Sequence, residues 1–263
     1  MPGKRAAAQS IAVEVFGVSV EVTGEAAHLA AVRDFLPPSA RPIDAAPAEG
    51  GFALVSAGDG RLELVCAGQS VAGPMDPRVA LGVLDARLRM HIALNAPDHV
   101  FVHAGVVGID GRAIVMPGPS FAGKTTLVSA LVRAGAGYWS DEYAALDADG
   151  LVHPYAKPLS VRDGGHAARD QAVESLGGRA GDRPLPVGLV VLTRYRRGAF
   201  WAPRACSAGE GALKLLEHTV PARSRPDQAL AAVRRAASGA TILDGDRGDA
   251  DETAAAIIAV LAP

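Results

Sequence analysis

Cysteine is scarce in this chain, with only Cys66 and Cys206 among its 263 residues. Two cysteines cannot form a disulfide framework, and neither belongs to a spacing typical of metal sites, so we expect a reducing compartment. No run of about 18 or more apolar residues occurs, so the sequence predicts no transmembrane helix. Because no long apolar segment follows the basic residues near Met1, we also expect no secretory signal and a cytoplasmic protein.

Lysine is also rare, and the chain carries little excess charge of either sign. The net charge of −2 gives no general electrostatic reason to expect nucleic acid or a membrane as a partner. A hydrophobic fraction of 49% with 21% charged residues is typical of a globular protein and excludes a disordered or fibrous chain. The length allows one large domain or two modest ones.

Residues 1–96 predict a small α+β module without a catalytic motif. Apolar and polar residues alternate around Gly17 and predict a hairpin over 11–22, whereas 26–36 carries apolar residues at helical spacing. Two further strands are expected at 52–56 and 61–66, and a long helix at 76–94 with Asp76 as its cap.

Residues 97–263 predict a second domain of mixed strands and helices. Strands are expected at 100–109, 112–116, 138–146, 187–193, 199–205 and 240–243, with 199–205 as the partner of 187–193. Helices are expected at 126–132, 209–218, 227–237 and 252–261. The segment 164–186 is rich in Gly, Arg and Asp and predicts a loop, with a short helix near 167–176, whose length suits a lid. The pattern as a whole favours an α/β fold.

The most informative stretch is Gly118-Pro-Ser-Phe-Ala-Gly-Lys-Thr125, which matches the P-loop (Walker A) pattern G-x-x-x-x-G-K-[ST]. It follows a predicted buried strand and precedes a predicted helix, which is the local context that the motif requires. Backbone N–H groups of such a loop and the positive end of the helix bind polyphosphate together. The expected nucleotide contacts are Gly118, Pro119, Ser120, Phe121, Ala122, Gly123, Lys124, Thr125 and Thr126. Lys124 would reach the β- and γ-phosphates of ATP, and the Thr125 hydroxyl would ligate Mg²⁺.

Two adjacent carboxylates, Asp141 and Glu142, follow the P-loop helix on the next predicted strand. A P-loop enzyme needs an acidic group for the metal and a group that deprotonates the nucleophile. Neighbouring residues on a strand face opposite sides, so both can point at one site only near a strand end or a bulge. We expect one carboxylate to hold Mg²⁺ and the other to act as a base.

His103 interrupts an otherwise apolar strand that the following hairpin brings beside the P-loop strand. A lone histidine there is most often a satisfied core residue. This placement nevertheless favours a contact between its imidazole and Asp141, where it would tune the carboxylate and assist proton transfer.

These residues carry a family resemblance. The segment FVHAGVVGIDGRAIVMPGPSFAGKTTL, followed by SDEYAALD, resembles the catalytic domain of HPr kinase/phosphorylase, and more closely the HPr-kinase-related proteins of peptide-modification gene neighbourhoods. The resemblance covers about residues 100–146. It implies a P-loop domain of the HPr kinase and PEP carboxykinase type, with a mixed, strand-rich sheet flanked by helices. It also implies His103 as an active-site histidine, Asp141 as the general base and Glu142 as a metal-binding residue.

The chain departs from the family pattern at three points. Phe121 stands where a small residue is usual, Glu142 replaces an aspartate, and the downstream glycine-rich signature is absent, with 177–178 a poor substitute. The resemblance therefore does not imply a phosphorylase reaction, and the sequence leaves open whether one exists. Four arginines are candidates for substrate or phosphate contacts, although such clusters are more often solvated: Arg162, Arg194, Arg196 and Arg197.

Taken together, the sequence predicts an ATP- and Mg²⁺-dependent kinase in which Lys124, Asp141 and His103 are catalytic. Its acceptor would be a hydroxyl, with serine of a small protein or peptide favoured. Two alternatives stay open: a kinase for an amino acid or metabolite, and a degenerate kinase that binds nucleotide to control a partner. The sequence leaves the acceptor, the preference for ATP over GTP and a homo-oligomeric state undecided.

Overall fold

The computed structural model describes residues 8–161 and 169–261. The chain divides into two compact units, Met1–Pro97 and Asp98–Pro263. None of the helices in the described ranges is both long enough and apolar enough to cross a membrane.

The first unit is a six-stranded sheet with two helices. Its elements are β1 (Gln9–Val15), β2 (Val18–Gly24), α1 (Ala26–Asp34), β3 (Arg41–Pro42), β4 (Gly51–Ser56), β5 (Leu62–Cys66), β6 (Gln69–Met75) and α2 (Pro77–Asn95). The strand order is β3-β1-β2-β4-β5-β6, and only the β2–β4 pair is parallel among these pairings. The predicted hairpins and both predicted helices of this unit are confirmed.

Alternation decides which side of this first sheet is buried. Along β2, Val18, Val20 and Val22 are buried while the residues between them are partly exposed, as the period of two in a strand requires. Helix α2 starts where expected, because the Asp76 side chain accepts a hydrogen bond of 2.9 Å from the Arg78 N–H. Strand β6 was not predicted, since it is largely exposed, lies at the sheet edge and contains a proline.

The second unit contains the Gly118–Thr125 segment that matches the P-loop motif. Its strands are β7 (Val100–Ile109), β8 (Arg112–Pro117), β9 (Gly137–Ser140), β10 (Tyr143–Leu146), β11 (Leu151–His153), β12 (Leu159–Val161), β13 (Arg169–Gln171), β14 (Leu185–Tyr195), β15 (Arg204–Cys206) and β16 (Thr241–Arg247). Its helices are α3 (Lys124–Arg133), α4 (Ala208–Glu217), α5 (Pro226–Ser238) and α6 (Ala250–Leu261).

The main sheet of this unit is mixed. Its order is β11-β10-β7-β8-β14-β16-β15, with β9 also paired to β7 and β11 paired back to β14. Strand β8, which leads into the P-loop, runs antiparallel to β7 and parallel to β14. Strand β16 is parallel to β14, so β8, β14 and β16 end at the same edge of the sheet. Ligands of α/β proteins commonly bind at this edge.

Helices cover both faces of this sheet. Buried residues of β8 alternate between two cores: Ala113 and Val115 pack with α4 and α5, whereas Ile114 and Met116 pack with α3 and α6. The expected α/β class, with a strand-rich sheet flanked by helices, is therefore confirmed. A β8 buried on both faces also explains its continuous apolar sequence.

Two strand predictions need correction. The strand expected at 138–146 is split into β9 and β10, and the break falls on the two carboxylates Asp141 and Glu142. The strand expected at 199–205 is shorter, as β15, and pairs with β16 instead of β14. In 164–186, β13 precedes a short 3-10 turn at Val173–Leu176, and the rest of the helix expected near 167–176 does not form within the described residues.

Candidate active site

The P-loop links the end of β8 to the start of α3. Gly123 is the N-cap of α3 and has φ of +78°, a left-handed conformation that glycine adopts without a steric penalty. Phe121 is also left-handed, with φ of +66°, and its side chain is 85% exposed. Pro119, Ser120 and Thr126 are exposed, whereas Gly118 is buried against the sheet.

Lys124 folds its side chain over the loop. Its Nζ donates hydrogen bonds to the carbonyl oxygens of Gly118 at 2.9 Å and Pro119 at 2.8 Å. Burial lowers the pKa of Lys124, while the charges of Glu142 and Asp141 oppose that shift. The ammonium is thus held at the loop by backbone oxygens, which a phosphate would replace as partners of the lysine.

Asp141 joins the acidic pair to the P-loop. It is 2% exposed, and its Oδ2 accepts hydrogen bonds from the Thr125 hydroxyl at 3.1 Å and the Ser160 N–H at 3.2 Å. Its Oδ1 accepts a hydrogen bond of 3.0 Å from the Tyr138 hydroxyl. Burial and the nearby Asp141 charge raise the pKa of Tyr138 well above its ordinary value, which keeps this hydroxyl a donor. These contacts fix the carboxylate beside the threonine expected to bind metal.

Ser140 explains how two adjacent carboxylates can serve one site. Its Oγ accepts hydrogen bonds from the N–H groups of Glu142 at 3.0 Å and Tyr143 at 2.9 Å. This local turn interrupts the strand, so Asp141 and Glu142 escape the strict alternation of a continuous strand. Both carboxylates can face one site only near a strand end or a bulge, and the break between β9 and β10 is such a point.

His103 contacts Glu142 instead of Asp141. Its partner across the β7–β10 pair is Tyr143, and its Nε2 lies 3.6 Å from Glu142 Oε1. The two side chains are 21% and 25% exposed, so they face a solvent-accessible part of the site. The expectation that His103 meets Asp141 differs from this arrangement, because the break after β9 turns Glu142 toward β7.

His218, left unassigned from the sequence, lies close to this group. Its carbonyl oxygen accepts a hydrogen bond of 2.8 Å from the His103 N–H, and the His103 carbonyl accepts one of 3.2 Å from Gly118 N–H. Burial lowers the pKa of His218; the charge of Glu217 opposes this shift, whereas His103 and Lys124 add to it. No sequence signal marks this residue, because it follows α4 far along the chain and reaches the site only through folding.

Two of the four candidate arginines, Arg194 and Arg196, are engaged in ion pairs. Arg194 forms ion pairs with Asp244 and Asp246, both at 3.1 Å, and Arg196 pairs with Asp246 at 3.2 Å. Arg197 is exposed in the turn after β14. Arg162 lies outside the described residues. A buried arginine that the sequence analysis did not select, Arg247, instead donates to the Gly123 carbonyl oxygen at 3.0 Å.

The oxygens near Thr125 fit a magnesium ion. Mg²⁺ prefers oxygen ligands and is usually held by one or two protein side chains together with phosphates and water. The Thr125 hydroxyl and the Asp141 carboxylate already lie within hydrogen-bond distance of each other, and Glu142 follows in the chain. No group of three or more His, Cys, Asp or Glu side chains suited to a metal occurs in the described part of the chain.

Comparison with known proteins identifies no family: no family model matches the chain, and no curated protein is significantly similar to it.

Proposed function

We propose that this protein is a P-loop kinase that transfers the γ-phosphoryl group of ATP to a hydroxyl. The observation that carries the proposal is the 3.1 Å hydrogen bond between Thr125 of the P-loop and Asp141 of the acidic pair. A glycine-rich turn alone would need no buried carboxylate beside its threonine. Phosphoryl transfer requires that combination, because the metal must be held against the phosphates.

The two carboxylates would have different tasks. Asp141 is buried and accepts three hydrogen bonds, which suits a fixed ligand better than a base that must take up a proton. Glu142 is partly exposed and lies beside His103, so it suits the side that an incoming hydroxyl reaches. We therefore assign Asp141 to the metal and Glu142 to the hydroxyl proton, the reverse of the assignment that the family resemblance implies.

His103 and Lys124 would complete the site. His103 would hydrogen-bond Glu142 and share the proton removed from the acceptor hydroxyl. Lys124 would leave the Gly118 and Pro119 carbonyl oxygens and neutralise phosphate charge. Thr125 and Asp141 would hold Mg²⁺, which would offset the negative charge of the phosphates. The protein's own contribution is then position and electrostatics.

The sequence resemblance supports two finer parts of this proposal. One is a domain of the HPr kinase and PEP carboxykinase type, and the other is serine of a peptide or small protein as acceptor. A small-molecule hydroxyl is the alternative acceptor. The other alternative is a nucleotide-binding regulator without transfer, which the left-handed Phe121 in the loop favours, because a bulky residue there alters the expected loop.

A transfer assay with γ-labelled ATP and Mg²⁺ tests the proposal. Wild type would be offered peptides and proteins encoded beside its gene, and a metabolite mixture in parallel, with Lys124→Ala and Glu142→Gln as inactive variants. Lys214→Ala is the matched control, because Lys214 lies on α4 and pairs with Glu217 at 2.9 Å. A protein kinase is supported if wild type and Lys214→Ala label serine and the two inactive variants do not. Label on a metabolite supports the small-molecule alternative. ATP binding without any labelled product would contradict the kinase proposal and favour the nucleotide-binding regulator.

A further inference from the structure

A buried arginine lies against the outer side of the P-loop. Arg247 ends β16 and is 3% exposed. Its Nη2 donates to the Gly123 carbonyl oxygen at 3.0 Å and lies 3.5 Å from the Ala122 carbonyl oxygen. Its guanidinium carbon lies 5.5 Å from the ring centre of Tyr195, its partner on β14, within the range of a cation–π contact. The sheet therefore holds this side chain in contact with the loop.

The charge of Arg247 has no acidic partner in the described part of the chain. Its buried Nε has no hydrogen-bond partner there, and its contacts are backbone oxygens and the Tyr195 ring. Burial also lowers the pKa of Arg247. An unpaired buried cation is unfavourable unless an anion is bound nearby. The neighbouring Arg194, paired with Asp244 and Asp246, shows that carboxylates are available on the same strand and are used elsewhere.

The geometry of the peptide links Arg247 to phosphate binding. In a trans peptide the C=O and the following N–H point in opposite directions. Because the carbonyls of Ala122 and Gly123 face Arg247, the N–H groups of Gly123 and Lys124 point away from it. N–H groups at a helix start have no acceptor within the helix and are the groups that bind an anion.

Gly123 makes this contact sterically feasible. A Cβ atom at position 123 would overlap Arg247 Nη2, and the left-handed φ would add strain. The glycine of the motif thus accommodates the guanidinium as well as the turn.

We propose that Arg247 is a positioning residue for polyphosphate. It orients the Ala122–Gly123 and Gly123–Lys124 peptide groups of the P-loop toward the phosphates and adds an uncompensated positive charge to the site. This inference rests on the proposed function, since it requires that the loop bind a nucleotide. It goes beyond that function by assigning a part of the phosphate site to an arginine more than a hundred residues away from the loop in sequence.

Calorimetric titration with Mg-ATP and with inorganic tripolyphosphate tests this proposal. Arg247→Met removes the positive charge and all hydrogen-bond donors of the side chain. Arg247→Lys keeps the positive charge but has only one donor nitrogen. Arg133→Met is the matched control. Arg133 lies in the last turn of α3, the helix that follows the P-loop, and its exposed side chain pairs with Asp251. We expect Arg247→Met to raise both dissociation constants about tenfold or more, with partial rescue in Arg247→Lys and no change in the control.

Ligand-induced stabilisation provides a second readout if Arg247→Met is poorly folded. The increase in Tm caused by tripolyphosphate should be small in Arg247→Met, intermediate in Arg247→Lys and full in Arg133→Met. Equal affinity in wild type and both Arg247 variants would overturn the role of Arg247 and leave the proposed function intact. Failure of wild type to bind either ligand would overturn both.

Discussion

Lys124 carries a positive charge at the proposed phosphate site, and its environment predicts a specific pH dependence for binding. Burial lowers its pKa below the ordinary 10.5, while bound phosphate would raise it again. In the proposed function the phosphates bind the protonated lysine, so affinity should decline as pH rises through the lowered pKa of the free protein.

Measurement of the Mg-ATP dissociation constant between pH 7 and 10.5 checks this prediction. We expect the loss of affinity to begin below the ordinary lysine pKa of 10.5, and Lys124→Arg to move it to higher pH. The same alkaline decline in Lys124→Arg would show that another group titrates.

The unlike environments of the two carboxylates give a second prediction at the residue scale. Asp141→Asn should increase the Mg²⁺ concentration for half-maximal transfer about 10- to 100-fold, because Asp141 is bonded to Thr125. Glu142→Gln should leave that concentration unchanged and lower the transfer rate about 100-fold or more, because a carboxamide cannot take the hydroxyl proton. Interchanged effects would restore Asp141 as the base.

At the scale of elements, the N-terminus of α4 is closed by a capping box. The Ser207 hydroxyl accepts a hydrogen bond from Glu210 N–H, and the Glu210 carboxylate accepts one from Ser207 N–H. The Ser207 backbone bond, followed by Arg204, lowers the pKa of Glu210 from 4.5 to about 2. The ionised carboxylate therefore stabilises the fold above pH 4.5, and this contribution is lost as pH falls toward about 2.

Thermal unfolding of Glu210→Gln between pH 7 and pH 2 checks the capping box. The variant should have a lower Tm than wild type at pH 7, and the two values should converge in acid. Glu174→Gln, on an exposed 3-10 turn, is the control. A constant difference across the pH range would show that the ionised box does not stabilise α4.

Three glycines surround the Trp139 side chain of β9, which donates its indole N–H to Arg183 O at 3.0 Å. A Cβ atom at Gly181 would overlap the indole ring, so Gly181→Ala should destabilise the protein by about 1–3 kcal/mol. Gly239→Ala is the control, because position 239 has open space for a methyl group. Urea unfolding measures both, and equal stability of the two variants would contradict tight packing around Trp139.

Elements with one dominant local signal were predictable from sequence. Strands β7, β8 and β14 are long apolar runs buried in the sheet. The start of α2 is indicated by Asp76 as the N-cap and Pro77 as the first helical residue. The break between β9 and β10 was not visible, because Ser140 and its neighbours fit an unbroken strand equally well. The pairing of β15 with β16 depends on tertiary contacts that leave no mark in a short polar sequence.

The site divides in the same way. Lys124, Thr125 and Asp141 were predictable because a motif and its spacing fix them. Arg247 was not, since it is one of many arginines and reaches the loop only through the order of the parallel strands. The partner of His103 depended on a local turn that the sequence did not reveal.

At the scale of the whole molecule, every described residue of the candidate site belongs to Asp98–Pro263. Two large clusters of buried apolar residues pack on the faces of its main sheet, and both consist only of residues from this range. We expect a fragment of residues 98–263 to unfold cooperatively on heating and to bind Mg-ATP with nearly the affinity of the full chain. A fragment that folds but fails to bind ATP would assign the first unit a direct role in the site.

Calorimetric titration of Mg-ATP against wild type, Lys124→Ala and Lys214→Ala tests most directly the claim that Gly118–Thr125 forms a phosphate site in this protein. We predict one Mg-ATP bound per chain in wild type and in Lys214→Ala, and an affinity reduced about 100-fold or more in Lys124→Ala. Absence of binding in wild type, or unchanged binding in Lys124→Ala, would contradict the claim.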